Sequence, residues 1–249
     1  MALLEDEGWV RIEDLAEEDS GILELSQREG VDLAAKIRLA VSDVRAEADS
    51  FLRAHSVYSS ANGVVDWQVR RWAIHQSLSS AYRDAYFQQL NDRYGSKWKL
   101  YVQQAKDARE QCLTQGIGVV LQPLPRPRAP EATLLTGLHG PRSYWFAITW
   151  TGANGQTSTL GEPRLVQTTG LHQVRVESGQ SSPPGAKWHI YAGSGPGEMT
   201  RQTSEALPAE GAWLVPEEGL VEGDEAPQGQ RADQTVRRRR LLGRRRPVR

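Results

Sequence analysis

The stretch Gln122 to Glu131, QPLPRPRAPE, has four prolines in ten residues, and the pattern of apolar residues changes its period across it. Proline fixes φ and has no N–H to donate, so this stretch is neither helix nor central strand and reads as a stiff, extended linker. Before it, apolar residues recur every three or four positions, as on one face of a helix. After it they alternate, as on one face of a strand. A chain with that switch folds as a helical part followed by an all-β part. Its 249 residues, 39% hydrophobic with eight tryptophans, suffice for two cores.

Between Asp32 and His55 the apolar positions are Leu33, Ile37, Val41, Val44, Ala48, Phe51 and Leu52, which form one helical stripe. Asp66 is placed to cap a second helix that runs to about Tyr94 and carries Val69, Trp72, Ala73, Ala81, Tyr82, Ala85, Tyr86 and Leu90, with Gly95 as its stop. Ser96 then caps a third, with Trp98, Tyr101, Val102, Ala105 and Cys112 at helical spacing, ending before Gly116 and Gly118. Three such helices make a small bundle. Trp67, Trp72, Tyr82, Tyr86, Trp98 and Tyr101 are more aromatics than a small core readily absorbs. Trp72, Tyr86, Trp98 and Tyr101 are therefore expected to serve self-assembly.

In SYWFAITWTGANGQTSTL, Tyr144, Phe146, Ile148 and Trp150 face one way, Trp145, Ala147 and Thr149 the other, and Asn154-Gly155 supplies a tight turn. Further strands are expected at Arg164 to Thr168, Leu171 to Glu177, Lys187 to Ala192 and Ala212 to Val215, separated by turns at Pro183-Pro184-Gly185 and GSGPGE. The expected fold class is multidomain, α plus all-β: a small helical bundle, then an antiparallel immunoglobulin-like β-sandwich, then a basic tail. The boundaries are an acidic N-terminal arm (1–31), a helical domain (32–121), a proline-rich linker (122–131), the sandwich (132–227) and an arginine-rich tail (228–249).

Chemistry is hard to find. One cysteine, Cys112, allows neither an internal disulfide nor a cysteine-based zinc cluster. His55, His75, His139, His172 and His189 stand singly, and GSGPGE lacks the Lys-Ser/Thr of a phosphate loop. The N-terminal carboxylates read as an exposed run with nothing to raise a pKa. No catalytic residue, metal site or cofactor is expected. The start, MALLEDEGW, is acidic where a secretory signal is basic, and no long apolar run follows. Synthesis in the cytoplasm without membrane insertion is the expectation.

Charge is segregated instead. The first thirty residues hold ten carboxylates against Arg11 and Arg28, while the last fourteen hold eight arginines broken by Leu241, Leu242 and Gly243. The net charge is −1, so everything before those fourteen residues carries about −9.

AAKIRLAVSDVRAEADSFL, VRRWAIHQSLSSAYRD and WKLYVQQAKDAREQCLTQGIGV, with the Trp9 to Leu15 entry and the Tyr101, Ala105, Gly116 and Gly118 exit, resemble the helical head-to-tail adaptor (connector) proteins of tailed bacteriophages over about residues 8 to 121. YWFAITWTGANGQTSTLGEP and PPGAKWHIYAGSGPGE resemble immunoglobulin or fibronectin type III modules, in an order that suggests a permuted sandwich. The resemblance implies a structural part of the virion neck. Such adaptors form a ring of twelve subunits below the portal, offer a surface to the next tail or stopper component, and reach the portal with their C-terminal segments.

The tail residues Arg237, Arg238, Arg239, Arg240, Leu241, Leu242, Arg244, Arg245, Arg246 and Arg249 are accordingly expected to bind a partner. Docking on an acidic portal surface, with the leucines as apolar anchor and the arginines as clamp, is one reading. Contact with packaged DNA is another, and a solvated tail a third. A DNA- or RNA-binding protein with a basic tail, or a capsid-decoration protein, are the alternative functions.

Overall fold

The structure, a computed structural model, describes residues 1–89 and 92–238, with backbone alone at 89, 92, 138 and 139. Among the described residues there are five α-helices and nine strands, and every strand pairing is antiparallel. The chain divides into two compact units. One, the helical unit, is Gly8–Val119 with the segment that begins at Ala232, and the other, the sheet unit, is Met1–Glu7 with Val120–Arg231. Both ends of the chain thus belong to a different unit from the residues beside them in sequence.

The helical unit begins with two short helices, α1 (Ile12–Glu18) and α2 (Ile22–Glu29), where an acidic arm is expected. Leu15, Ile22 and Leu25 are buried, so this segment is part of the core. Helix α3 (Leu33–His55) starts where the sequence places it, with the Asp32 side chain accepting from the Ala35 N–H at 2.9 Å. Helix α4 (Trp67–Gln89) is capped by Asp66, whose carboxylate accepts from the N–H groups of Gln68 and Val69 at 3.0 and 2.9 Å.

Helix α5 spans Asp92–Gln115 and corrects the expected boundary. Gly95 does not end α4. It lies inside α5, where a Cβ would come within 3.0 Å of the Tyr86 ring. Close approach of two helices, and not termination, is what this glycine serves. After Gly116, at φ +100°, comes strand β1 (Ile117–Val119).

In the sheet unit, β2 (Glu131–His139), β5 (His172–Glu177) and β8 (Ala212–Leu214) form one sheet in the order β2-β5-β8. A second sheet has the order β4-β3-β6-β7, from β3 (Arg142–Thr151), β4 (Arg164–Thr168), β6 (Lys187–Gly193) and β7 (Thr200–Arg201). The alternation read in β3 governs its packing: Tyr144, Phe146, Ile148 and Trp150 join Trp188 and Ile190 of β6 and Val174 and Val176 of β5 in one apolar cluster. Ala147 and Trp145 lie on the other face with Tyr191 and Met199.

The proline-rich stretch has neither helix nor strand from Pro123 to Pro130, as expected of a stiff extended segment, and it is packed within the sheet unit. Leu124 belongs to the apolar cluster, and the Gln230 side chain accepts from the Leu124 N–H at 2.6 Å and donates to the Gln122 carbonyl at 2.8 Å. Asp6 accepts from the Arg126 N–H at 2.8 Å. The backbone groups that prolines leave without helix or ladder partners find side chains distant in sequence. No helix among the described residues is long and apolar enough to cross a membrane.

Candidate functional site

Two features of the helical unit coincide with residues the sequence singles out. The first is an aromatic patch near the facing ends of α4 and α5. Tyr86 and Trp98 stack with ring centroids 5.7 Å apart, Phe87 lies 5.6 Å from Trp98, and Tyr86 meets Phe87 edge-on at 5.4 Å. Tyr86 and Trp98 are half-buried, whereas Phe87 is 61% exposed. Clustered rings that stay in contact with water are the composition of an association surface. Phe87 itself is not among the sequence-derived candidates. Its signal is that it stands one position off the helical stripe of Tyr82, Ala85 and Tyr86.

The other two expected self-assembly residues lie elsewhere. Trp72 is 3% and Tyr101 6% exposed, so their rings are taken up by packing within the chain. Tyr101 stacks on Tyr82 at 5.6 Å, and both hydroxyls donate to the Asp19 carboxylate, at 3.0 and 2.7 Å. Lys97 donates to both Asp19 oxygens at 2.8 and 2.7 Å, and the Gly21 N–H adds a bond at 3.0 Å. Burial alone would raise the Asp19 pKa, but the bonds from Lys97, Tyr82, Gly21 and Tyr101 together outweigh it and hold the carboxyl below its ordinary range. Burial and the neighbouring carboxylate push the Tyr82 and Tyr101 hydroxyls up, so they remain donors.

This cluster corrects the expectation of a uniformly exposed acidic run. Asp6 and Asp19 are buried, and Asp14, Glu18 and Glu29 reach Arg70, His75 and Tyr94 at 2.7, 3.2 and 2.8 Å. Asp6, in the sheet unit, has its pKa raised by burial, opposed by the N–H bonds of Arg126 and Leu3. These carboxylates hold structure together. The sequence could not show it, because their partners lie dozens of positions away.

The second feature is the start of the basic segment. Strand β9 (Gln234–Val236) pairs antiparallel with β1 in the register Ile117 to Val236, Gly118 to Thr235 and Val119 to Gln234. That direction delivers the chain to the C-terminal end of α5. There Arg237 Nε donates to the Gln115 carbonyl at 3.0 Å, and Arg238 Nη1 meets Glu110 Oε1 at 3.5 Å. The last carbonyls of a helix lack intrahelical donors and carry partial negative charge, so two guanidinium groups suit this position. Arg239, Arg240, Leu241, Leu242, Arg244, Arg245, Arg246 and Arg249 lie outside the described residues. The tail thus starts from a fixed strand, which its residues 228–249 gave no periodicity to reveal.

Among the described residues no group of three or more His, Cys, Asp or Glu side chains gathers as a metal site would. The Cys112 thiol is buried and its pKa is pushed up to about 12 by that burial, the setting of an inert cysteine. No protein-family model, curated protein or solved structure matches the chain.

Proposed function

We propose that this chain is a structural component, and not a catalyst, of a tailed-phage particle: a head-to-tail adaptor made in the host cytoplasm and incorporated at the virion neck. Copies associate through the Tyr86, Phe87 and Trp98 patch into a ring, of twelve subunits on the resemblance. The arginine-rich tail docks on an acidic portal surface, and the ring offers its far side to a tail or stopper protein. The exposed Phe87 ring, held between helices by two half-buried aromatics, is the observation that carries this reading. A monomer gains nothing from leaving such a ring in water.

The two sheets are read as a permuted immunoglobulin-like sandwich. The order β4-β3-β6-β7 matches the C′-C-F-G order of such domains, and β2 beside β5 matches B beside E. Strand β8, late in the sequence, takes the edge position next to E that an earlier strand fills in the usual topology, which supports a permutation.

Electron microscopy and sedimentation of the purified protein, alone and with its portal, test the function. Rings or portal-bound rings are expected from the wild type, and at least ten-fold weaker assembly from Phe87→Ser. Persistent monomers under both conditions would overturn the proposal. Changing Leu241 and Leu242 to Ser should weaken portal attachment and spare DNA affinity. Loss of DNA affinity with unchanged portal attachment would favour a nucleic-acid contact instead.

A further inference from the structure

Of the four edges of the two larger sheets, three are blunted. Strands β7 and β8 are two and three residues long, and β4 opens with a charged residue, Arg164. Strand β2 differs: it has nine residues, and from Ala132 to Leu138 it carries no charge and no proline. Shortness, charge and proline keep a sheet edge from pairing with another chain, and the irregularity of β2 lies beyond Thr136. Thr133 and Thr136 are exposed, and Leu134 and Leu135 are 42% and 37% exposed. Neighbouring strands fix which backbone groups are open. The Val174 carbonyl accepts from the Val215 N–H at 3.0 Å, so Val174 turns its backbone groups toward β8, and Gln173 and Arg175 turn theirs toward β2. Their partners Leu135 and Thr133 are thereby used. Ala132, Leu134 and Thr136 direct N–H and C=O outward, where they meet no donor or acceptor among the described residues.

We propose that β2 pairs antiparallel with β2 of a second copy of this chain, about a two-fold axis through Leu134. In that register Leu134 opposes Leu134 and Ala132 opposes Thr136, so the outward backbone groups of all three meet their complements. The side chains agree. Leu134 shares a face with the buried Val174 but lies at the open rim of the core, and its counterpart covers it. On the other face Leu135 meets Thr133. Charge selects the direction: a parallel pair sets Glu131 against Glu131, whereas the antiparallel register places these carboxylates six residues apart, about 20 Å. On the sandwich reading β2 is strand B, and this is the side that strand A covers in the usual topology.

The pairing goes beyond the adaptor reading and uses the sheet unit alone. It is tested in the full chain carrying Phe87→Ser, in which the proposed helical contact is removed. Sedimentation should show a dimer that dissociates on dilution. Hydrogen exchange at the Leu134 and Thr136 amides should slow about ten-fold or more as concentration rises, while Thr133 and Leu135, already bonded to β5, keep their rates. Thr133→Lys with Leu135→Lys sets like charges opposite one another in this register and should abolish the dimer. Thr133→Glu with Leu135→Glu should do the same, and mixing the two variants should restore it. A monomer at every concentration, or exchange that slows equally at all four amides, would overturn the pairing. So would the lack of recovery on mixing variants whose circular dichroism matches the parent. Protection of Leu134 that comes only with added portal would give the edge to a different protein and overturn self-pairing too. Every protein in this test lacks Phe87, so ring assembly by the wild type is decided separately.

Discussion

Tyr86 and Gly95 meet at the crossing of α4 and α5, where a Cβ on Gly95 would lie 3.0 Å from Cε2 and 3.1 Å from Cδ2 of the tyrosine ring. Alanine at 95 gains about 1 kcal/mol of helix propensity over glycine. It also pushes the half-buried Tyr86 ring outward by a few tenths of an ångström. Gly95→Ala should therefore change stability by less than about 1 kcal/mol, measured by urea denaturation, while weakening the proposed assembly by displacing the ring that supports Trp98 and Phe87. A variant that assembles as the wild type does would detach the patch from self-association.

Asp19→Asn removes the charge that three side chains converge on. Breaking a buried, charge-assisted cluster costs about 2–4 kcal/mol, with the partly exposed Lys97 keeping the figure at the lower end. The pH dependence carries a sign. A carboxyl whose folded pKa lies below its ordinary 3.8 contributes stability that is fully present above that value, and is lost as pH falls from 3.8 through the lowered folded pKa. Acid titration of the wild type by circular dichroism should show this loss. The Asn variant should start less stable and lack that component, and an identical acid limb in both proteins would contradict the assignment.

Gly116 occupies φ +100°, and a Cβ there would strike the Val236 carbonyl oxygen and lie 2.6 Å from Arg237 Cγ. Gly116→Ala combines backbone strain of about 1–3 kcal/mol with loss of the β1–β9 pairing. Hydrogen exchange at Gln234 to Val236 should accelerate at least ten-fold, with the helices still protected. Retained protection of β9 would show that the strand tolerates the substitution.

Ile148 and Ile190 are partners across β3 and β6, both fully buried, whereas Leu165 on β4 is 42% exposed. Ile148→Ala should destabilise the sheet unit by about 2–5 kcal/mol through the cavity it leaves, and Leu165→Ala by under about 1 kcal/mol. Thermal unfolding of the two variants side by side checks the difference, and comparable losses would mean that β3 is not the centre of this core.

Period alone determined much of the architecture. The stripe from Leu33 to Leu52 is buried as a helix face except at half-buried Val41, and the alternation from Tyr144 to Trp150 lies in the sheet cluster, because repeated one-sided burial leaves a regular trace in sequence. Helices α1 and α2 are too short for such a trace to stand out. The fates of Gly95, the proline stretch and β9 were decided by partners: the Tyr86 ring, the Gln230 and Asp6 side chains, and the edge of β1. A glycine, a proline or a three-residue strand takes its meaning from what approaches it, and that approach joins residues as far apart as Ile117 and Val236. Likewise composition supplied an excess of aromatics, but only packing sorted them, turning Trp72 and Tyr101 inward and leaving Phe87 in water.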